Sequence, residues 1–253
     1  CVFAVGSILL LVFRFRIRRL AEINEQEKLI YKSRLLSLEQ KSMNASMNRH
    51  FIFNSLNSIQ YFINTQDRIS ANKYLTNFAN LIRKNLDSAT AEGNVVTLEE
   101  ELERLELYLS LEAMRFKDRF DYVVNVNDVD TESVLIPAML MQPFIENSII
   151  HGILPNEEKK GMITIDIELK DDYLNIIIKD NGIGIHKSLS QKVSMDGDHK
   201  SQGMEITSKR IELIQKIANN GISLEGPEEI VGDDGSINGT YVLIKIPSTN
   251  LEI

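Results

Sequence analysis

The sequence predicts an α+β chain, with a helical hairpin in front and a layered sandwich of helices on a mostly antiparallel sheet behind. Three observations carry this. Between Arg14 and about Thr65 there is no Gly, no Pro and no cluster of turn residues, so nothing interrupts a helix. From Phe120 onward apolar residues alternate with period two, as they do in half-buried strands. Two such runs, Met162 to Leu169 and Tyr173 to Lys179, flank Lys170-Asp171-Asp172 and read as a hairpin. Helices interleaved with such strands must bury one face of each, which gives a layer sandwich.

Taken in order, Cys1 to Phe13 is uncharged and apolar, and RFRIRR follows at once. The run is short of the roughly 20 residues that cross a bilayer. A positive cluster just after an apolar run marks the cytoplasmic side. A signal peptide would carry its charges before that run. The expectation is the end of a transmembrane helix (1–13) of a longer protein, set against a signal-peptide core or a buried helix. Residues 14–253 would then lie in the cytoplasm, at the inner membrane. Residues 14–40 read as a signalling linker. Leu29, Leu36, Met43 and His50 recur every seven residues, a coiled-coil seam that favours a parallel homodimer over one helix packing within a monomer.

Thr65-Gln66-Asp67 is a turn, and Asp67 can cap a second helix to about Ala91 with Leu75, Phe78, Ala79, Ile82 and Leu86 on one face. Such an αα-hairpin, doubled, makes a four-helix bundle, so 41–117 is taken as a helical dimerisation domain. Glu92-Gly93-Asn94 breaks the pattern. Thr97-Leu98-Glu99-Glu100 is a capping-box start for a helix to about Arg115, with Leu102, Leu105, Leu109 and Met114 as its stripe. Residues 118–253 form the second domain. There Phe120 to Val126 is a strand, Leu140 to Ile150 a buried helix, Met204 to Ala218 a helix, and Gly221 to Leu224 and Thr240 to Ile246 the last strands.

Composition narrows the function. The 253 residues are 43% hydrophobic and 25% charged, ordinary globular material. A net charge of −8 argues against direct nucleic-acid binding. The single Cys excludes an intrachain disulfide, and no Cys/His cluster has zinc spacing.

The chemistry sits in two places. The first is Asn48-Arg49-His50-Phe51-Ile52-Phe53-Asn54-Ser55-Leu56-Asn57, a lone histidine in a helical pattern. The second is the set Gln142 to Gly152, Asp180-Asn181-Gly182-Ile183-Gly184, Gly203-Met204 and Gly239 to Val242. Asp180 ends a strand and can accept a hydrogen bond from an exocyclic amine, while Gly182 and Gly184 let backbone approach a flat ring. Asn147 offers a hard oxygen to a cation such as Mg²⁺. Gly203 opens a helix whose N-terminus suits phosphate. Ile185 to Gly203 is polar and reads as a lid, with His186 and His199 incidental. Each piece alone has a plain reading as a turn, a core amide or a loop; their order and setting make the set specific.

Together these residues resemble the GHKL ATP-binding domain shared by sensor histidine kinases, gyrase, the 90 kDa heat-shock chaperone and mismatch-repair ATPases. With NRHFIFNSLNSIQ, close to the usual NPHFLFNxLN, residues 40 to 247 resemble the LytS-type sensor histidine kinases. The resemblance implies a helical-hairpin dimerisation and phosphoacceptor domain followed by an α/β-sandwich ATP-binding domain. It implies ATP and Mg²⁺ as cofactors and His50 as phosphoacceptor. Asn147 would hold the metal, flanked by Glu146 and His151. Asp180 would bind the adenine amine, with Gly182 and Gly184 shaping that wall, Thr240 beside it and Gly203 near the phosphates. A response regulator, of LytTR type by family association, would be the phosphate acceptor. LEAMRF, ending at Arg115 and Phe116, matches the family without an assigned role.

Three departures stand out: Arg49 for the usual Pro, SQGMEI without the first Gly of the glycine box, and Pro143 where related ATPases often hold Glu or Asn. Pro143 suits an enzyme that keeps its γ-phosphate from water. Arg49, unlike Pro, can donate its N–H to Ala45, so the helix is expected to run through residues 45–51 with little bend. Phe51 follows the histidine where many kinases have an acid; Asn54, one turn on, can bond the other ring nitrogen and fix the tautomer. The function expected is ATP-dependent autophosphorylation of His50. The alternative is a nucleotide-binding switch or scaffold without phosphotransfer, and an ATP hydrolase clamp comes third.

Overall fold

The computed structural model describes residues 15, 16, 19, 51–90, 95–117, 119–188 and 222–248. The chain divides into two compact units, Cys1–Ala45 and Ser46–Ile253. In the first, Phe15, Arg16 and Arg19 are helical and exposed. Among the described residues no helix is long and apolar enough to cross a membrane. The apolar run 1–13, the heptad seam, Ala45, Arg49, His50, the 92–94 break, Gly203, the helix expected at 204–218 and most of the expected lid lie outside the described residues.

The second unit opens with a helix over 51–64, α1, which turns into α2, Arg68–Thr90. The turn falls where expected. Gln66 takes φ 60°, and Asp67 Oδ1 accepts from the Ser70 N–H at 3.0 Å, supplying the cap. Tyr74 of α2 is fully buried and its hydroxyl reaches Ser55 Oγ of α1 at 3.4 Å. The Phe51 ring lies 6.1 Å from Phe78 and 5.6 Å from Tyr108, joining α1 to both following helices.

Helix α3, Leu98–Arg115, starts with the expected capping box. Thr97 Oγ1 accepts from the Glu100 N–H and Glu100 Oε2 from the Thr97 N–H, each at 3.1 Å. The apolar stripe expected on α3 packs on the core, Leu102 and Met114 at its margin, and buried polar residues extend beyond it. Leu102 and Met114 are only half-buried, while Glu101, Arg104, Tyr108 and Glu112 are buried. The reason is position. One side of α3 meets α2, where Asn77 Nδ2 donates to Ser110 Oγ at 3.1 Å, and the other meets the segment before the next helix. Two short strands missed by periodicity, β1 (Val95–Thr97) and β3 (Leu135–Pro137), pair antiparallel beside it.

A five-stranded sheet follows, built from β2 (Phe120–Asn127), β4 (Gly161–Lys170), β5 (Tyr173–Asp180), β6 (Ser223–Val231) and β7 (Ile237–Pro247) in the order β2-β4-β5-β7-β6. Only β2 and β4 run parallel. Ile163, Ile165 and Ile167 alternate onto one face with Leu174, Ile176, Ile178, Val242, Ile244 and Ile246, all buried. Each such side chain contributes about 1.5–3 kcal/mol over its exposed state. The β4–β5 turn has Asp171 at φ 53° and Asp172 at φ 61°, the left-handed pair that matches strand twist in a two-residue hairpin. Strand β6 is much longer than expected. It continues through Gly226-Pro227 because β6 is an edge strand whose register shifts between Glu225 and Glu228, where Pro costs no inner ladder bond.

The helix expected at Leu140 to Ile150 is two pieces, α4 (Gln142–Asn147) and a π-helical stretch, Ser148–Ile153. Leu154 N–H donates to Ile149 at 2.9 Å, the wide i→i+5 closure. Phe144, Ile145, Ile149 and Ile153 cover the apolar sheet face.

Candidate nucleotide site

Asp180 closes β5 and is 5% exposed. Its Oδ2 accepts from Ser148 Oγ at 2.8 Å and its Oδ1 from the Gly182 N–H at 2.9 Å. Thr240 is its register partner on β7. Burial pushes the Asp180 carboxyl above the ordinary carboxylate range; the bonds from Gly182, Ser148 and Thr240 and the Lys159 charge oppose the shift. A carboxylate has about four acceptor positions, so these two protein bonds leave room for a ligand N–H.

Glycine is required where backbones cross behind this group. A Cβ on Gly182 would lie 2.3 Å from the Gly152 carbonyl carbon, and the Ile183 N–H donates to Gly152 O at 3.0 Å. A Cβ on Gly239 would fall 1.7 Å from Asp180 O. Gly182 thus packs directly on the π-helical stretch. Gly184, at φ 79°, faces Ile237 and Glu229. Glu229 Oε1 accepts the His186 N–H at 2.8 Å, fastening the first residues after the glycines.

Asn147 ends α4 half-buried, immediately before Ser148. Glu146 beside it accepts from Gln142 Nε2 at 2.7 Å. His151 is half-buried one turn on. Thus the structure brings Asn147, His151, Asp180, Gly182 and Thr240 to one end of β5 and the helix over it. Asn54 lies half-buried on α1. The oxygens of Asn147 and Glu146 are the donor type that Mg²⁺ takes, one or two from protein and the rest from phosphate and water. Among the described residues no trio of His, Cys, Asp or Glu is grouped for a metal.

Sequence reasoning missed Ser148. Its only signal was its place after Asn147 in an apolar run, and a lone buried Ser there carries no period. It also missed Glu112, 1% exposed and bonded to Arg115 Nη1 at 2.9 Å. Burial raises the Glu112 carboxyl to about 7, with Arg115 opposing and Glu146 adding repulsion. Arg115, without a role in sequence, pairs with Glu112 and sits 4.1 Å over the Phe116 ring.

Residues 38–120 match the family described as Histidine kinase. The sensor protein LytS of Staphylococcus epidermidis is 37% identical over 151 residues, 60% of this chain and 25% of that protein. LytS of Staphylococcus haemolyticus is 31% identical over 218 residues, 86% of this chain and 35% of that protein. The histidine kinase domain of the Erythrobacter litoralis EL346 blue-light activated kinase aligns at 18% identity over 75% of this chain and 84% of that one, with a TM-score of 0.39. The chain spans 25% and 35% of the lengths of these two curated relatives.

Proposed function

The chain belongs to the LytS-type sensor histidine kinases, and from that premise we propose that it transfers the γ-phosphoryl group of ATP to His50. The observation that supports this best is the Asp180 carboxylate, buried and held by Ser148 and Gly182 with acceptor capacity left for an adenine amine. Asp180 reads the base, Gly182 and Gly184 let the backbone meet the ring, and Thr240 lies beside it. Asn147, with Glu146, would hold Mg²⁺, whose charge offsets that of the phosphates. His151 flanks the metal-binding residue and Gly203 serves the phosphates.

In the transfer, a neutral His50 ring nitrogen forms an N–P bond in line as the bond from the γ-phosphorus to the β,γ-bridging oxygen breaks. ADP leaves with that electron pair, and the imidazolium gives up a proton to water. Positioning supplies most of the rate. Asn54 orients the ring from one turn away. Phosphohistidine then passes its phosphoryl group to an aspartate of a response regulator, of LytTR type by family association. The kinase works as a homodimer anchored by the helix ending at residue 13. Incubation with γ-labelled ATP tests the proposal: acid-labile label on the chain supports it, and nucleotide binding without label supports a switch or scaffold instead.

A further inference from the structure

Glu101 and Arg104 lie one turn apart on α3, 1% and 3% exposed, and form an ion pair. The Glu101 carboxylate also leaves its own helix. Oε2 accepts the Met139 N–H at 3.0 Å, and Oε1 faces the Met141 N–H at 3.5 Å. Met139 holds φ 59°, a left-handed backbone that a side chain disfavours, so its conformation needs an external hold. Met141 directly precedes α4, which has no side-chain cap of its own. Glu101 therefore holds, from another element, the two backbone N–H groups that lead into α4.

A well-packed apolar pair would fill the same space at no loss of stability, whereas this ion pair sets the place of two backbone N–H groups. Five residues beyond Gln142, at the other end of the same short helix, stands Asn147. We infer that Glu101 is a positioning residue for the divalent cation and nucleotide phosphates: braced by Arg104, it sets the start of α4 and so the place of Asn147. Because α3 also bonds α2 through Asn77–Ser110 and Lys84–Glu103, the same carboxylate ties the hairpin to the nucleotide site. This rests on the reading that Asn147 holds Mg²⁺.

The test is ATP affinity of the whole chain with excess Mg²⁺ and with chelator, for the wild type, Asn147→Ala and Glu101→Gln. In the expected result Asn147→Ala removes the Mg²⁺-dependent gain. Glu101→Gln cuts that gain by about tenfold or more, since displacements near 1 Å cost on this scale, and barely moves metal-free affinity. Should Glu101→Gln fold poorly, Glu101→Met/Arg104→Met leaves no orphan buried charge and carries the same expectation. A full Mg²⁺ gain in the folded Glu101 variant, or an equal loss with and without metal, overturns the inference while leaving Asn147 in its role. A full Mg²⁺ gain in Asn147→Ala, or none in the wild type, overturns the metal reading and this inference with it.

Discussion

Replacing Asp180 by Asn separates base reading from scaffolding. The amide can keep both side-chain bonds seen in the structure. Its oxygen accepts from the Gly182 N–H as Oδ1 does, and its NH₂ donates to Ser148 Oγ, which can accept as well as donate. It also removes a charge that burial disfavours, so the fold should lose no stability at neutral pH. What the amide cannot supply is a charged acceptor for an exocyclic amine. Hydrogen bonds to charged groups are worth about 1.5–3 kcal/mol, roughly ten- to a hundredfold in Kd. Calorimetric titration should show that loss for ATP and little change for GTP, with the unfolding midpoint held or raised. Equal loss for both nucleotides, or a fall in midpoint matching the fall in affinity, would refute the reasoning.

Two further expectations concern the fold around the site. Glu112 titrates at about 7 in the folded protein against 4.5 ordinarily, so between those values the folded state holds the extra proton and stability falls as pH rises. Glu112→Gln should flatten urea-measured stability between pH 5 and 8, removing a slope of at most about 1.4 kcal/mol per pH unit and about 3 kcal/mol in all; parallel profiles for the two proteins would contradict it. Gly182→Ala puts a Cβ 2.3 Å from the Gly152 carbonyl carbon, and backbone must move. It should cost about 1–3 kcal/mol and lower nucleotide affinity, and an unchanged melting temperature would count against the crossing described.

The features legible in sequence are those fixed locally. Thr97 and Glu100 satisfy each other's backbone within one turn, and Asp171-Asp172 needs only its own left-handed backbone. Alternation on β4 and β5 is equally local, since each residue declares its face. The adjacency of Asp180 and Thr240 was implied by the family resemblance, and the strand register matches it. What stayed hidden depends on distant partners. Glu101 and Arg104 look like a solvated charge pattern until Met139, 38 residues on, is brought to them. Ser148 gains meaning only when β5 places Asp180 2.8 Å away. The π-helical stretch, which meets Gly182 at Gly152, is announced by no helical period. β1 and β3, at three residues each, are too short to show any period.

Transfer of the γ-phosphoryl group from ATP to His50 is tested most directly by His50→Gln. Labelling with γ-labelled ATP and nucleotide titration are run on the same preparation. The account predicts no acid-labile label and an ATP Kd within about tenfold of the parent, that is within about 1.4 kcal/mol. Acid-labile label persisting in the variant would contradict the assignment of His50, and a larger loss of affinity would contradict a role limited to accepting phosphate.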